Sequence, residues 1–290
     1  MTPPTASPPT GARPSATRQG VRFVDIAWDA RHVRIEHEWI DAEQADLPLL
    51  VFLHEGLGSL SMWRDFPQQL CAACHCRGLV YSRPGYGAST PRAPGQAWGT
   101  DFMHRQALEV LPALLDALGV DTLRQAPWLL GHSDGATIAL LYAAHFPTRL
   151  AGAVLLAPHI LVEELSITSI EQARKAYRET DLRERLARHH DDPDSAFWGW
   201  NKVWLDPAFR DWSIHSEIRS IACPLLAVQG LEDEYGTLEQ IRGIKRAVPH
   251  TQLLELPACG HSPQRDQPER LITAAADFMH RHPLRCKPKV

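Results

Sequence analysis

The chain has 290 residues, of which 44% are hydrophobic and 22% are charged, a composition typical of a folded globular protein rather than of a disordered one. The 30 Lys and Arg residues are outnumbered by 34 Asp and Glu residues, and the resulting net charge of −4 argues against a nucleic-acid-binding surface, which needs a basic excess. The sequence contains no apolar run of about eighteen residues, so we expect no membrane-spanning helix.

The two ends of the chain differ in composition from the rest. Residues 1–20 are rich in Pro, Ser and Thr and lack the apolar segment of a signal peptide, so they predict a disordered tail, and the basic residues 283–290 predict a second one. The 6 cysteines are few for this length and do not indicate a disulfide framework. We predict a cytoplasmic protein that needs no cofactor or metal and acts on a small molecule; its oligomeric state is left open.

Short apolar runs alternate with helical patterns along the chain. Val21–Trp28 and His32–Ile40 alternate apolar and polar residues, as half-buried antiparallel strands do. Six continuous apolar runs predict buried strands: Leu49–His54, Gly78–Ser82, Trp128–Gly131, Ala151–Ala157, Leu225–Gly230 and Gln252–Leu256. Five helical patterns lie between or after them: Ser61–Ala73, Asp101–Leu118, Ala136–Phe146, Leu238–Val248 and Pro268–Met279. This alternation predicts an α/β fold with a mostly parallel twisted sheet flanked by helices.

Residues 159–220 interrupt the alternation, since they contain helical patterns and no buried strand. Four of the 9 tryptophans lie in this segment, at Trp198, Trp200, Trp204 and Trp212. They could form the core of a small helical subdomain, or line a pocket beneath a cap, and the two roles are compatible. We predict a helical cap (residues 159–220, the cap segment) inserted after the sixth strand into a core of residues 21–158 and 221–282, with Trp198 and Trp204 contacting substrate.

A possible nucleophile stands at Gly131-His132-Ser133-Asp134-Gly135, a G-x-S-x-G sequence between an apolar strand and a helix rich in small residues. A sharp strand-to-helix turn exposes the serine hydroxyl, and flanking glycines avoid Cβ clashes there. The helix N-terminus adds positive potential where an oxyanion would form. A purely structural glycine-rich turn is the alternative.

A serine nucleophile needs a base and a group that orients the base. Asp233 follows the strand Leu225–Gly230, at the edge of the sheet where α/β proteins collect their sites, and Glu232 and Glu234 flank it as loop charges. His261 follows the last predicted strand, which completes the order Ser, Asp, His along the chain. Asp206, in the cap segment, is an alternative acid.

With these motifs the chain resembles the α/β-hydrolase family over about residues 21–282. Gly131–Gly135 resembles the family's nucleophile elbow, and Arg83–Ser89 resembles its Pro-Gly-aromatic-Gly-x-Ser loop. His54-Glu55-Gly56 aligns with its oxyanion loop, so the resemblance implies that the backbone N–H groups of Gly56 and Asp134 form the oxyanion hole. It also implies a triad of Ser133, Asp233 and His261.

The chain departs from the family at Glu55, where glycine is usual. Its side chain could hold a polar group of the substrate, repel anionic substrates or cap a neighbouring turn, and we include it among the candidate substrate contacts. His159, at the end of a predicted strand, is a further candidate. The sequence Cys71-Ala72-Ala73-Cys74-His75 matches a haem-attachment pattern, but it falls on a helix whose apolar positions predict core packing.

Serine as nucleophile implies acyl chemistry through an acyl-enzyme. We therefore predict a serine hydrolase of small or medium carboxylic esters, with lactones or thioesters as further substrates. A carbon–carbon bond hydrolase of the ring-fission type has the same triad and is the first alternative. A ligand receptor with low turnover on the same fold is the second.

Overall fold

A computed structural model of the chain describes residues 20–93 and 95–282. In these ranges eight strands form one sheet: β1 (Val21–Trp28), β2 (Arg31–Ile40), β3 (Leu49–Leu53), β4 (Arg77–Tyr81), β5 (Trp128–His132), β6 (Gly152–Leu156), β7 (Leu225–Gly230) and β8 (Gln252–Leu256). Their order across the sheet is β1-β2-β4-β3-β5-β6-β7-β8. The strand β2 pairs antiparallel with β1 and β4, and all other neighbours are parallel. The predicted mostly parallel α/β sheet is confirmed.

The central strands are continuous apolar runs because both faces of the sheet are covered. Along β3, Leu49, Val51 and Leu53 belong to the core on one face, whereas Leu50 and Phe52 belong to the core on the other. All five are buried. The two cores together hold the sheet between two layers of helices.

The helices that flank the sheet or follow its strands are α1 (Phe66–Cys74), α2 (Phe102–Arg105), α3 (Leu111–Ala117), α4 (Asp134–His145), α8 (Glu239–Ala247), α9 (Pro263–Asp266) and α10 (Pro268–Arg281). Those inserted between β6 and β7 are α5 (Glu164–Glu179), α6 (Leu182–Leu186) and α7 (Pro193–Trp204). Helices therefore do follow the sixth strand, as predicted for the cap segment. The exact division into core and cap stays a prediction, and the predicted tails lie outside the described residues apart from Gly20.

Two predicted helices are less regular than their patterns indicate. The predicted helix Ser61–Ala73 is a 3₁₀ turn, Leu60–Trp63, followed by α1. Arg64 separates them with φ 56° and ψ −125°, outside the helical region. Pro67 lies in the first turn of α1, where its missing N–H costs nothing, so the helix restarts there.

The predicted helix Asp101–Leu118 is continuous but contains a π-helical segment, Gln106–Val110, between α2 and α3. Pro112 is the physical reason, because it has no N–H to donate to the preceding turn and its ring crowds the carbonyl four residues earlier. The N–H of Leu111 accordingly bonds to the carbonyl of Gln106, five residues back.

Candidate active site

Ser133 stands in the sharp turn between β5 and α4, with φ 53° and ψ −119°. This left-handed φ is unfavourable for a residue with a side chain and is retained at functional turns when the surrounding packing enforces it. The packing comes from the neighbouring glycines. A Cβ at Gly131 would overlap the backbone of Gly135, and a Cβ at Gly135 would overlap the carbonyl groups of Leu53 and His54. The two glycines of the G-x-S-x-G pattern are therefore required by close backbone contacts, Gly131 with the start of α4 and Gly135 with the end of β3.

We expect Gly135→Ala to lower the free energy of unfolding by at least about 3 kcal/mol, the upper end of typical overpacking costs, because backbone atoms cannot move aside as side chains do. Urea denaturation followed by circular dichroism measures the change. Gly99→Ala is the matched control, since a Cβ there meets only the end of the Asp101 side chain. Equal stability of the two variants would contradict the close contact.

The predicted acid and base lie together at the carboxyl ends of β7 and β8. His261 Nδ1 is 2.8 Å from Asp233 Oδ1. The carboxylate also accepts hydrogen bonds from the backbone N–H groups of Tyr235 and Gly236 and from the Gln229 amide. Burial alone would raise the pKa of Asp233, but the hydrogen bond and charge of His261 lower it below its ordinary value. An ionised Asp233 accepts the Nδ1 proton of His261, so Nε2 carries the lone pair that a base needs.

His132 connects the nucleophile turn to the histidine loop. Its Nε2 lies 2.7 Å from the backbone carbonyl of His261, and the two imidazole rings are 5.1 Å apart. The residue directly before Ser133 is thus hydrogen-bonded to the backbone of the predicted base. The structure in this way brings all three predicted triad residues to one edge of the sheet.

The loop after β3 is held by buried polar contacts. His54 Nδ1 donates to the carbonyl of Glu55 at 2.7 Å, and His54 Nε2 accepts from the backbone N–H of Arg83 at 3.0 Å. The Arg83 guanidinium donates to the same carbonyl of Glu55 at 2.8 Å. Gly56 follows in this loop and lies beneath Trp200, because a Cβ at Gly56 would overlap the indole ring. Of the two predicted oxyanion donors, Gly56 thus comes from this loop and Asp134 from the first residue of α4.

The Asp134 side chain is buried between the core and the cap segment. Its Oδ1 accepts from Trp204 Nε1 at 3.2 Å, and its Oδ2 lies 3.8 Å from the Arg83 guanidinium. Burial raises the pKa of Asp134, and the Arg83 charge opposes that effect. The indole of Trp204 also lies 5.0 Å from the ring of His159, which in turn is 5.7 Å from the ring of His261. Two of the predicted substrate contacts, Trp204 and His159, therefore lie next to the predicted triad.

The structure does not bring Trp198 to this site. Its ring lies against Tyr177 and Phe197, with the Arg178 guanidinium over one face. Trp200 is the residue of α7 that reaches the oxyanion loop, and it was not among the predicted substrate contacts. Helical spacing is the signal that separates them, since residues four apart share a face and residues two apart do not. Trp200 and Trp204 are four apart, which places both on the face that meets the core.

Two other groups of side-chain contacts at this site were not predicted from the sequence. Tyr235, in the loop after β7, packs its ring 4.8 Å from that of His261. The Glu55 carboxylate, only 17% exposed, faces His132 and Arg265. These contacts join segments that are distant in the sequence, so no local pattern predicts them.

His190 anchors the cap segment to two core loops. Its Nε2 donates to the carbonyl of Leu57 at 3.0 Å, and its Nδ1 accepts from the N–H of Gly87 at 2.9 Å. Burial lowers the pKa of His190 from the ordinary value of 6.5 to about 4. Burial likewise lowers the pKa of His159 to about 3 and that of His54 well below its usual range. These three imidazoles are therefore neutral at neutral pH.

We expect the free energy of unfolding to fall as the pH drops below about 6.5. Below that pH the histidines of the unfolded chain become protonated, whereas the buried rings of the folded chain stay neutral. The contribution of His190 is intact above that pH and is lost towards pH 4, and the difference corresponds to roughly 3 kcal/mol. Urea denaturation at a series of pH values measures it. His190→Ala should be less stable at neutral pH and less sensitive to acid, and an unchanged pH dependence in the variant would contradict the assignment.

Two negative findings apply to residues 20–93 and 95–282. No group of three or more His, Cys, Asp or Glu side chains there is arranged to hold a metal ion. No helix in those ranges is long and apolar enough to cross a membrane. Cys71 and Cys74 of the haem-attachment pattern are buried in the core. The cellular location of the chain stays a prediction.

The fold and this arrangement of loops define the class of protein. A model of the alpha/beta hydrolase family matches residues 50–274, so the chain belongs to that family. It is 24% identical to the putative hydrolase LipZ of Mycobacterium tuberculosis, over 76% of this chain and 98% of that protein.

Solved structures share the fold at low sequence identity. A thermophilic esterase from Thermogutta terrifontis is 19% identical with a TM-score of 0.70, covering 91% of this chain and 100% of that chain. The esterase RhEst1 from Rhodococcus sp. ECU1013 is 20% identical with a TM-score of 0.67, over 91% of this chain and 100% of that chain. At these identities the likeness concerns the fold alone.

Proposed function

We propose that the protein is a serine hydrolase that cleaves small or medium carboxylic esters, including lactones or thioesters, through an acyl-enzyme on Ser133. The observation that carries the proposal is the 2.8 Å contact between His261 Nδ1 and Asp233 Oδ1, at the sheet edge where Ser133 stands in a strained turn. A carboxylate, an imidazole and a serine in these positions have the roles of orienting group, base and nucleophile.

In the first half of the reaction, Ser133 Oγ attacks the acyl carbon of the ester while its proton passes to His261 Nε2. The electron pair of the carbonyl bond moves onto oxygen, and the N–H groups of Gly56 and Asp134 donate to that oxyanion. Collapse of the intermediate breaks the bond to the alcohol, which leaves with the proton from His261. The acyl group remains on Ser133.

In the second half, water replaces the alcohol. His261 Nε2 takes a proton from water as its oxygen attacks the acyl carbon, and a second oxyanion forms in the same hole. Collapse releases the carboxylic acid, and the proton on His261 returns to Ser133 Oγ. Asp233 stays ionised throughout, which its lowered pKa supports, and stabilises the imidazolium that forms in each half.

The surroundings favour an acyl group that is largely apolar. Trp200 lies over Gly56, and Trp204 packs against His159 beside the triad, so aromatic surface faces the reacting centre. We propose Trp200, Trp204 and His159 as substrate contacts. That two proteins of the same fold are esterases supports ester chemistry.

A series of p-nitrophenyl esters of increasing acyl length tests the proposal. We expect release of nitrophenolate over many turnovers. A fluorophosphonate should lose fluoride as Ser133 Oγ bonds to phosphorus, so the peptide that contains Ser133 should gain the mass of the phosphonyl group. Hydrolysis that leaves Ser133 unlabelled would refute the assigned nucleophile. Absence of turnover on every ester by a folded protein would refute the ester substrate class.

A further inference from the structure

Glu55 occupies the oxyanion loop, where its carboxylate faces protein groups. Oε2 lies 3.4 Å from His132 Nδ1, and Oε1 lies 3.4 Å from the Arg265 guanidinium. A Cβ at Gly58 would overlap this carboxylate, so the glycine leaves the space that the side chain fills. Burial would raise the pKa of Glu55, but His132 and Arg265 together lower it well below its usual range. The carboxylate is therefore ionised in a nearly enclosed place.

His132 is the side chain through which Glu55 reaches the triad. It is buried, and its Nε2 must carry a proton because the partner of that nitrogen, the carbonyl of His261, can only accept. The other nitrogen, Nδ1, faces the Glu55 carboxylate, which also can only accept. A proton on Nδ1 therefore satisfies both partners, and the ring is then a cation.

The amide of Gln264 is the second neighbour of His132 Nδ1. Its Nε2 lies 3.0 Å from His132 Nδ1, while its Oε1 is buried without a partner. An amide nitrogen can only donate, so a proton on Nδ1 requires the amide to turn by half a turn and present Oε1 to it. The protonated ring therefore predicts the turned amide, with Glu55 and Gln264 both accepting from Nδ1.

We propose that Glu55 and His132 form a buried ion pair that positions the carbonyl of His261, and with it the imidazole that acts on Ser133. Glu55 is thus a positioning residue that ties three loops together: the oxyanion loop, the nucleophile turn and the histidine loop. This inference rests on the proposed function for its catalytic consequence but not for the ion pair itself. It gives the carboxylate a role other than binding substrate.

The charged and titratable groups around the pair come from several elements. Those that interact with Glu55 are His54, Arg265, Asp134 and His190, and the rings of His261 and His159 lie on the side of His132. The guanidinium of Arg265 is 45% exposed. The Glu55 carboxylate lies 3.4 Å from His132 Nδ1, so it is placed to stabilise a protonated ring.

The main chain at Glu55 does not depend on this side chain. Its carbonyl accepts from His54, from Arg83 and from the N–H of Gly58. Replacing the carboxylate by the amide of glutamine keeps the size of the side chain. We therefore expect Glu55→Gln to fold while the charge of the pair is lost.

The test combines kinetics with NMR of the full chain labelled with nitrogen isotopes at histidine. On p-nitrophenyl esters, Glu55→Gln should lower kcat by roughly 10- to 100-fold with little change in KM, because the base is displaced and binding is not. The His132 resonances, identified by their loss in His132→Gln, should show both nitrogens protonated in the wild type and one in Glu55→Gln. Glu55→Asp should retain the protonated ring and part of kcat. The control Glu255→Gln removes a surface carboxylate that pairs with Arg242.

Each of the opposite results would overturn a named part of the proposal. A neutral His132 in the wild type would overturn the ion pair, and an unchanged kcat in Glu55→Gln would overturn the positioning role. A change confined to KM would instead assign Glu55 to substrate binding. If the wild type cleaves no ester, the proposed substrate class fails, and the protonation state of His132 still decides whether the ion pair exists.

Discussion

Ser133→Ala should lower kcat for ester hydrolysis by roughly 10⁶-fold, the scale seen when a triad serine is removed. No other hydroxyl stands in the turn between β5 and α4, and water that attacks the ester directly is not held in the position that this turn gives to Ser133 Oγ. Binding of the ester should persist, because the aromatic contacts remain. Steady-state and single-turnover kinetics with p-nitrophenyl esters measure the loss.

The alanine variant should keep its fold, since Ser133 is small and its Oγ is not needed for packing. Ser220→Ala is the matched control, because Ser220 bonds to the carbonyl of Ala144 on the surface of the core. Comparable activity of Ser133→Ala and the wild type would exclude Ser133 as nucleophile. An unfolding transition equal to that of the wild type separates loss of chemistry from loss of structure.

Asp233→Asn should lower kcat by about 10⁴-fold while leaving the loop in place. The amide oxygen can still accept from the N–H of Tyr235, so the backbone turn is preserved. The lost element is the negative charge that accepts the Nδ1 proton of His261. Without it the ring is no longer held with its Nε2 lone pair towards Ser133, and the imidazolium formed during the reaction lacks its counter-charge.

Two matched variants test the choice of acid. Glu232→Gln removes a neighbouring exposed carboxylate, and Asp206→Asn removes the alternative acid, which caps a 3₁₀ turn through the N–H of Ala208. Both should keep kcat within about 2-fold of the wild type, as expected for surface changes away from the reacting atoms. A loss of activity in Asp206→Asn comparable to that in Asp233→Asn would reverse the assignment.

Much of the fold was predictable because its signals are local. Continuous apolar runs mark strands covered on both faces, and all eight predicted strands are present. The exceptions have local causes too. Arg64 adopts a positive φ that divides one predicted helix. In another, Pro112 shifts the hydrogen bond of the Leu111 N–H to the carbonyl of Gln106, five residues back. Neither interruption removes the apolar face, so the pattern alone could not show it.

The candidate site was only partly predictable. The order Ser133, Asp233, His261 follows from motifs at strand ends, and the structure joins Asp233 to His261 at 2.8 Å. Trp198 and Trp200 are equally aromatic in the sequence, but the rotation of α7 turns Trp198 towards Tyr177 and Trp200 over Gly56. That rotation is set by packing between the cap segment and the core.

The alternation of strands and helices and the glycine-lined turn at Ser133 were predictable from the sequence, because each depends on side chains within a few positions of one another. The three residues of the proposed triad were predictable one by one, because each follows a short apolar strand. The partners of Glu55 depend on the tertiary structure. This carboxylate meets His132, the last residue of β5, and Arg265, in α9. Such contacts arise when parallel strands bring distant loops to one edge, where a buried charge must find a partner from another loop to offset its desolvation.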